Sequence, residues 1–535
     1  MPAALRQAML RLWPYALLAI AILLAYGNIY DNAFLFDDDL IISLNTYLRD
    51  WSHLGDLLTS STTAGAHIVG GFYRPIQVLI YFIIYQIAGQ STFWFHLPNI
   101  ILHITNTALA YRLAEKFEFP KWPTLCALLL WAVHPLHVEA ITYISGTADP
   151  LYLAFWLNAL VYMAPDFSRR KILLTTPLLM MAMLSKESAS IFPPILCACI
   201  YATSTERLNW KTYIKTWPHW LLAAAYMAWR IQSTNFDGPA TYAHMIDDPS
   251  FSAYKLYSQD WMLRLYTFFA TLPAYADLLF WPHNLHMERQ FEAYTDIAHT
   301  PVLIGFGLSL FALVWLFVSR NHKRVPLSFG LLWFGISHVP NTGLLFAVNA
   351  VFLEHWMYVP TLGLLLGTSA ELYPSVIASQ KLIVQRTLLV LVGVATAALA
   401  ATTWNQNKVW HDSESFYLNI FRNGTSTARA HNNLAMYYSD HGIFDKAIDE
   451  YNEAIRESDV YAETHYNLAL VFLRKSQDSG SFDQAMEHLN RSIEINPLFY
   501  RSYLLESQIY RARGETQKAD EADSNAQKAL AGVTP

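Results

Sequence analysis

Three consecutive carboxylates, Asp37, Asp38 and Asp39, follow Phe36 just after the first long apolar run, Leu17 to Tyr30. Bunched carboxylates in an apolar setting repel and desolvate one another, which raises at least one pKa. A carboxylate tuned in this way can serve as a general base. The triplet can equally be the solvated exit of a membrane helix, so neighbouring chemistry has to decide. Several cations stand near carboxylates in segments that the charge bias below places on the same outer side: Arg74, Lys186, Arg230, Arg264 and Arg289. They are either plain ion pairs or holders of a lipid-linked phosphate. Asn99, His103 and Asn106 recur at i, i+4 and i+7, one face of a helix. His134-Pro-Leu-His137-Val-Glu139 lies in another apolar run. Ionisable groups inside a membrane are costly and default to a functional reading. His134, His137, Glu139 and Asp149 could supply a divalent metal site, although His-x-x-His on a Pro-broken helix is a poor spacing for one.

The elements that must position these groups are apolar helices. Of the 535 residues 54% are hydrophobic and only 15% charged, and mean hydropathy is +0.21. Soluble domains carry about 25% charged residues. The chain therefore reads as all-α, a polytopic membrane bundle with a soluble attachment. A net charge of −6 argues against a nucleic-acid partner. Cys126, Cys197 and Cys199 sit inside apolar runs and read as packing residues. Arg6 and Arg11 ahead of the first run resemble an uncleaved signal anchor.

About thirteen apolar segments can be drawn between residues 14 and 403. Six basic loops, at Arg6/Arg11, Arg112/Lys116/Lys121, Arg169/Arg170/Lys171, Arg207/Lys211/Lys215, Arg320/Lys323/Arg324 and Lys381/Arg386, should face the cytoplasm. All six can do so only if segments 75–90 and 262–281 lie along the outer surface as interfacial helices. That predicts about eleven crossings, the N-terminus inside, and everything after residue 404 outside. The outer loops are then 31–93, a short one at Ser145–Pro150, one carrying Ser185-Lys186-Glu187-Ser188, and 234–299. Residues 1–404 form the predicted membrane domain and 405–427 a linker helix.

From 428 to 535 charge density rises and helical periodicity takes over. Leu434, Ala435, Tyr438, Gly442, Ala447, Tyr451 and Ala454 form one repeat. Leu468, Ala469, Phe472, Ala485, Leu489, Ser492 and Pro497 form a second. Ser507, Tyr510, Gly514, Ala519 and Ala526 form a weaker third. The period is 34, apart from about four extra residues near 476–480. Small residues at fixed points let paired helices pack closely, with aromatics filling between them. This tail resembles tetratricopeptide repeats (TPR), about three of them, a solenoid that binds peptides or partner proteins in a concave groove.

The motifs also resemble, in order, those of the transmembrane-and-TPR O-mannosyltransferases. The residues are Phe36-Asp37-Asp38 with Ile41 and Asn45, Tyr73-Arg74-Pro75, and Phe95-His96 with Asn99 and Leu102-His103. They continue with His134-Pro-Leu-His137-Val-Glu-Ala140, Gly146-Thr-Ala-Asp149, Leu184-Ser-Lys-Glu187, and Glu354 ahead of Tyr358-Val-Pro360. The resemblance implies the GT-C class of polyprenyl-phosphate-sugar transferases, with a catalytic carboxylate in the first outer loop. Asp37 and Asp38 are the matching positions and Asp39 falls outside the pattern. It further implies donor-phosphate contact by Arg74, Lys186 and Arg230, an active site lined by His103, His134, His137, Glu139, Asp149, Glu187 and Glu354, and a protein acceptor met through the TPR. Two residues depart from the pattern: Thr147 and His355 stand where the family usually has Arg. The short TPR tail points to a prokaryotic inner-membrane member with its TPR in the periplasm, hence undecaprenyl phosphate rather than dolichol phosphate. A sugar on a polyprenyl phosphate carries a good leaving group, so one displacement by a hydroxyl deprotonated by Asp37 or Asp38 would invert the anomeric carbon. Cations, or a metal, would stabilise the departing phosphate. Two other classes fit parts of the sequence: a transferase acting on lipid or glycan with the TPR as recruitment arm, and a non-enzymatic membrane-anchored TPR scaffold. A scaffold has no need of the Asp, His, Arg and Lys cluster.

Overall fold

In a computed structural model the chain is described over residues 3–68, 71–233, 260–322, 325–345, 350–373, 381–476 and 479–535. Part of the predicted 234–299 loop, up to 259, lies outside the described residues, as do Val69 and Gly70 of the 31–93 loop and the basic pair Lys323/Arg324. The described chain is helical throughout, with no strand. It falls into two compact units, divided after Asp412. The predicted 405–427 linker is thus shared: 405–412 stay with the first unit, while the helix Ser413–Arg422 opens the second.

Among the described residues two helices are long and apolar enough to cross a membrane, Thr300–Ser319 and Leu382–Trp410, with mean hydropathies of 2.4 and 2.0. A third candidate is the bent pair Lys121–Ala132 and Pro135–Ile141, which turns by 54° at its break. The apolar run that carries His134 and His137 is therefore not one straight helix, and Pro135 is the reason: it removes an amide donor and cannot continue the preceding turn. The helix Pro75–Ala88, expected at the surface, has 14 residues. That is about 21 Å of rise, short of a hydrocarbon core of about 30 Å. The other expected surface segment forms Trp261–Phe280, started by Asp260, whose carboxylate accepts from the amides of Met262 and Leu263 at 2.8 and 3.3 Å.

The break between residues 132 and 148 leaves carbonyls without helical partners, and polar side chains of neighbouring helices meet them. On Thr92–Lys116, Asn99 donates to the Ile141 and Tyr143 carbonyls at 3.1 and 3.0 Å, while Asn106 reaches past the break to the Pro150 carbonyl in the first turn of the helix Ala148–Met163, at 2.8 Å. His103 reaches the Ala132 carbonyl at 2.8 Å, and Thr403 donates to that of Val133 at 2.7 Å. On Pro75–Ala88, Gln77 and Tyr81 serve the Ser145 and Ile144 carbonyls at 2.9 and 2.7 Å. Gly146 sits where an added Cβ would lie 2.7 Å from the Glu139 carbonyl oxygen, so no larger residue fits this turn.

The second unit contains three consecutive helical hairpins: Ala428–Asp440 with Phe444–Glu457, Ala462–Lys475 with Ser479–Ile495, and Tyr500–Ala512 with Thr516–Leu530. Buried Ala435, Ala447, Ala454, Ala469, Ala485 and Ala519 let the paired helices approach. Gly442 and Gly514 turn the first and third hairpins at φ +72° and +77°.

Candidate functional site

The Asp loop is held in a forced conformation. Phe36 adopts φ +57°, a left-handed backbone that an aromatic residue avoids. The strain persists because the flanking chain is anchored: the Ala33 amide donates to the His411 carbonyl at 2.9 Å, and the Asp37 amide to the Tyr143 hydroxyl at 3.0 Å. The following turn, Asp39–Ser43, is π-helical. The consequence is that adjacent carboxylates face different surroundings. Asp37 and Asp39 are exposed, whereas Asp38 is 1% exposed. Asp38 Oδ1 accepts from the Ser145 amide at 2.8 Å and from the Ser145 hydroxyl, and Oδ2 accepts from the Leu35 amide at 3.2 Å. Burial pushes the Asp38 carboxyl up to about 8, against the pull of these donors.

Around Asp37 stands an array of charges. Arg74 grips Glu187 in a fork, Nη2 to Oε1 at 2.9 Å and Nε to Oε2 at 3.3 Å. Burial opposes the Arg74 charge, but Glu187, Asp149 and Asp37 more than offset it. Burial would likewise raise Glu187, yet Arg74, helped by Lys186, holds its carboxyl well below the usual range. Lys186 donates to both oxygens of Asp149, at 2.7 and 2.9 Å, and both side chains are 8% exposed. Arg230 reaches the Gly71 carbonyl at 3.3 Å. A second group adjoins the first through Asp149. His355 Nδ1 lies 2.7 Å from Glu139 Oε1, its amide donates to Oε2 at 3.1 Å, and its Nε2 lies 4.0 Å from Asp149 Oδ2. Glu354 Oε1 accepts from the His286 amide at 3.0 Å and from Arg289 at 3.3 Å.

Asp37, Arg74, Lys186, Glu187, Asp149, Glu139 and Glu354 are thus gathered into a linked set of charges. The three predicted histidines serve elsewhere. His103 spends its nitrogens on Tyr358 Oη (2.9 Å) and the Ala132 carbonyl, and His134 on the Leu279 carbonyl (2.9 Å) and the Leu136 amide (3.2 Å). His137 bonds the Trp131 carbonyl at 2.9 Å and Thr361 at 3.2 Å. Among the described residues no three His, Cys, Asp or Glu side chains are placed to hold a metal ion. The His134, His137, Glu139 and Asp149 quartet does not fit one, since each of these side chains already has partners. Sequence reasoning passed over Ser145 and Tyr143, which dock the Asp loop, and saw His355 only as a departure. The small-residue turn Ser145-Gly146 was the available signal for the first; nothing local marks Tyr143. Thr147, the other departure, lies behind the site with its hydroxyl between Asn99 and Tyr81.

The sequence profile of the family described as dolichyl-phosphate-mannose-protein mannosyltransferase matches residues 75–230, which include Arg74's neighbour Pro75 and all of the broken helix. The chain is similar to the protein O-mannosyl-transferases. One of Caenorhabditis elegans is 26% identical over 73% of this chain and 54% of its own length. The protein O-mannosyl-transferases Tmtc1 of Drosophila melanogaster and TMTC1 of Homo sapiens are 24% and 26% identical, covering 83% and 85% of this chain. They are matched over 61% and 56% of their own lengths, so the chain spans little more than half of these relatives.

Proposed function

We propose that the protein is a membrane glycosyltransferase of the GT-C type that moves mannose from a polyprenyl phosphate to a hydroxyl of a protein on the extracytoplasmic side. The observation that carries this reading is the division of labour in the Asp loop. Asp37 is exposed within the field of Arg74, while Asp38 is sealed behind it with both oxygens taken by the Leu35 and Ser145 donors. Asp37 is therefore the base. The acceptor oxygen attacks the anomeric carbon, Asp37 takes its proton, and the carbon–oxygen bond to the phosphate breaks with inversion. Arg74, Lys186 and Arg230 hold the phosphate and the negative charge it gains on leaving. Their carboxylate partners Glu187 and Asp149 stand in that place before the donor arrives. Asp38 anchors the loop, and His103, His134 and His137 position the broken helix behind the site. About eleven crossings put this face outside, with 75–90 and 262–281 lying along the surface. The helical hairpins of 428–535 are TPR units that dock the protein acceptor on the same side. The scaffold reading has no use for buried charges, which are costly to desolvate.

The test is transfer in nanodiscs, with polyprenyl-phosphate mannose as donor and an extracytoplasmic protein segment as acceptor. Arg74→Ala removes a forked, charge-assisted contact worth about 1.5–3 kcal/mol. The donor KM should rise about tenfold to a hundredfold with the acceptor KM unchanged. An unchanged donor KM would reduce Arg74 to a plain ion pair.

A further inference from the structure

A buried carboxylate needs a partner in every state of the site, because an unpaired buried charge costs several kcal/mol, about 3–5 when one member of a pair is removed. Asp149 is such a group. Its partner at rest is Lys186, bound at 2.7 and 2.9 Å with both side chains nearly enclosed. If Lys186 turns its ammonium to a donor phosphate, Asp149 loses its two hydrogen bonds at that moment, because Arg74, the other cation whose charge it supports, is forked to Glu187. A second group able to carry a positive charge is already placed there. His355 Nε2 lies 4.0 Å from Asp149 Oδ2, outside hydrogen-bond range but within a small side-chain shift. The ring is oriented for this task from its other side: Glu139 takes Nδ1 at 2.7 Å and the His355 amide at 3.1 Å, which fixes both the plane of the ring and the backbone beneath it. In its imidazolium form the ring donates from both nitrogens, one to each carboxylate. The remaining charges nearby are taken by others: Glu354 by Arg289 and the His286 amide, and Glu187 by Arg74.

We propose that His355 is a positioning residue that receives Asp149 when the donor phosphate takes Lys186, a handover in which one buried carboxylate exchanges one cation for another. This rests on the reading above that Lys186 holds the phosphate. The handover makes donor binding depend on a residue that never touches the donor. It also predicts that the dependence exists only while residue 149 carries a charge.

The experiment is a double-mutant cycle on the full chain in nanodiscs, reading donor KM and acceptor KM separately with polyprenyl-phosphate mannose. His355→Ala should raise the donor KM about tenfold, equivalent to about 1.4 kcal/mol, and leave the acceptor KM within about twofold. In an Asp149→Asn background, where no charge is stranded, adding His355→Ala should change the donor KM by less than about twofold. Should His355→Ala fold poorly, the pair His355→Arg and His355→Gln carries the test. The arginine, a fork able to meet both carboxylates, should keep the donor KM within about threefold, and the neutral glutamine should raise it. Equal effects of His355→Ala in the two backgrounds, or equal donor KM for the Arg and Gln variants, would overturn the handover. Lys186→Ala separates the two claims. If it raises the donor KM while His355→Ala does not, the phosphate site stands and the handover fails. If Lys186→Ala leaves the donor KM unchanged, both fail.

Discussion

Asp37 and Asp38 are neighbours in sequence with opposite expected phenotypes when changed to Asn. At position 38 the amide must replace a carboxylate that accepts three hydrogen bonds. Its one oxygen can keep the two Ser145 donors, but its nitrogen then faces the Leu35 amide, donor against donor, across 3.2 Å. The loss is one hydrogen bond plus one buried unsatisfied amide, about 1–3 kcal/mol, whichever protonation state Asp38 has. At position 37 the side chain is exposed, so the stability change should stay within about 0.5 kcal/mol. Its chemical loss should be larger: removing a general base costs at least about a hundredfold in rate, or about 2.7 kcal/mol of transition-state stabilisation. Thermal unfolding in detergent and mannose transfer on the same preparations separate the two. Asp37→Asn should melt like the parent and be nearly inactive, and Asp38→Asn should melt earlier. The pH dependence adds an independent check. Burial lifts Asp38 from 3.8 to about 8, so across that interval the folded chain holds a proton that the unfolded chain has released. Stability should therefore fall as pH rises from about 4 to about 8, and Asp38→Asn should remove that part of the slope. Near-parental turnover in Asp37→Asn, or an inactive Asp38→Asn with a parental melting temperature, would refute the assignment.

Deleting residues 428–535 should reduce transfer to the protein acceptor and spare transfer to a small acceptor, because tethering raises local acceptor concentration to about millimolar with short linkers; equal loss on both would make the hairpins a stabilising element only. Reporter fusions after Gly89 and after Trp281 should both report the outside, and a cytoplasmic signal at either would break the eleven-crossing arrangement, which needs both segments to lie on the surface.

What could be read from the sequence is what depends on short spans of chain. The apolar runs, the 34-residue period of the tail, the break at Pro135 and the presence of acid and base groups near one face are all local patterns, and helix formation and charge placement follow from local patterns. What the tertiary structure decided is which group meets which. Arg74 finds Glu187 across 113 positions, Lys186 finds Asp149 across 37, and His355 finds Glu139 across 216. No periodicity encodes such partners, because they depend on which helices lie side by side. The same holds for the polar face of Asn99, His103 and Asn106. Their spacing announced a shared side, but that side turned out to face carbonyls at the broken helix and at the start of the helix that follows it, a demand created elsewhere in the chain. Asp37 and Asp38 make the point most sharply. They are chemically identical and adjacent, and nothing in the residues ranks them. The left-handed turn at Phe36 and the docking of Ser145 bury one and leave the other exposed, and burial is a property of the surroundings, not of the residue.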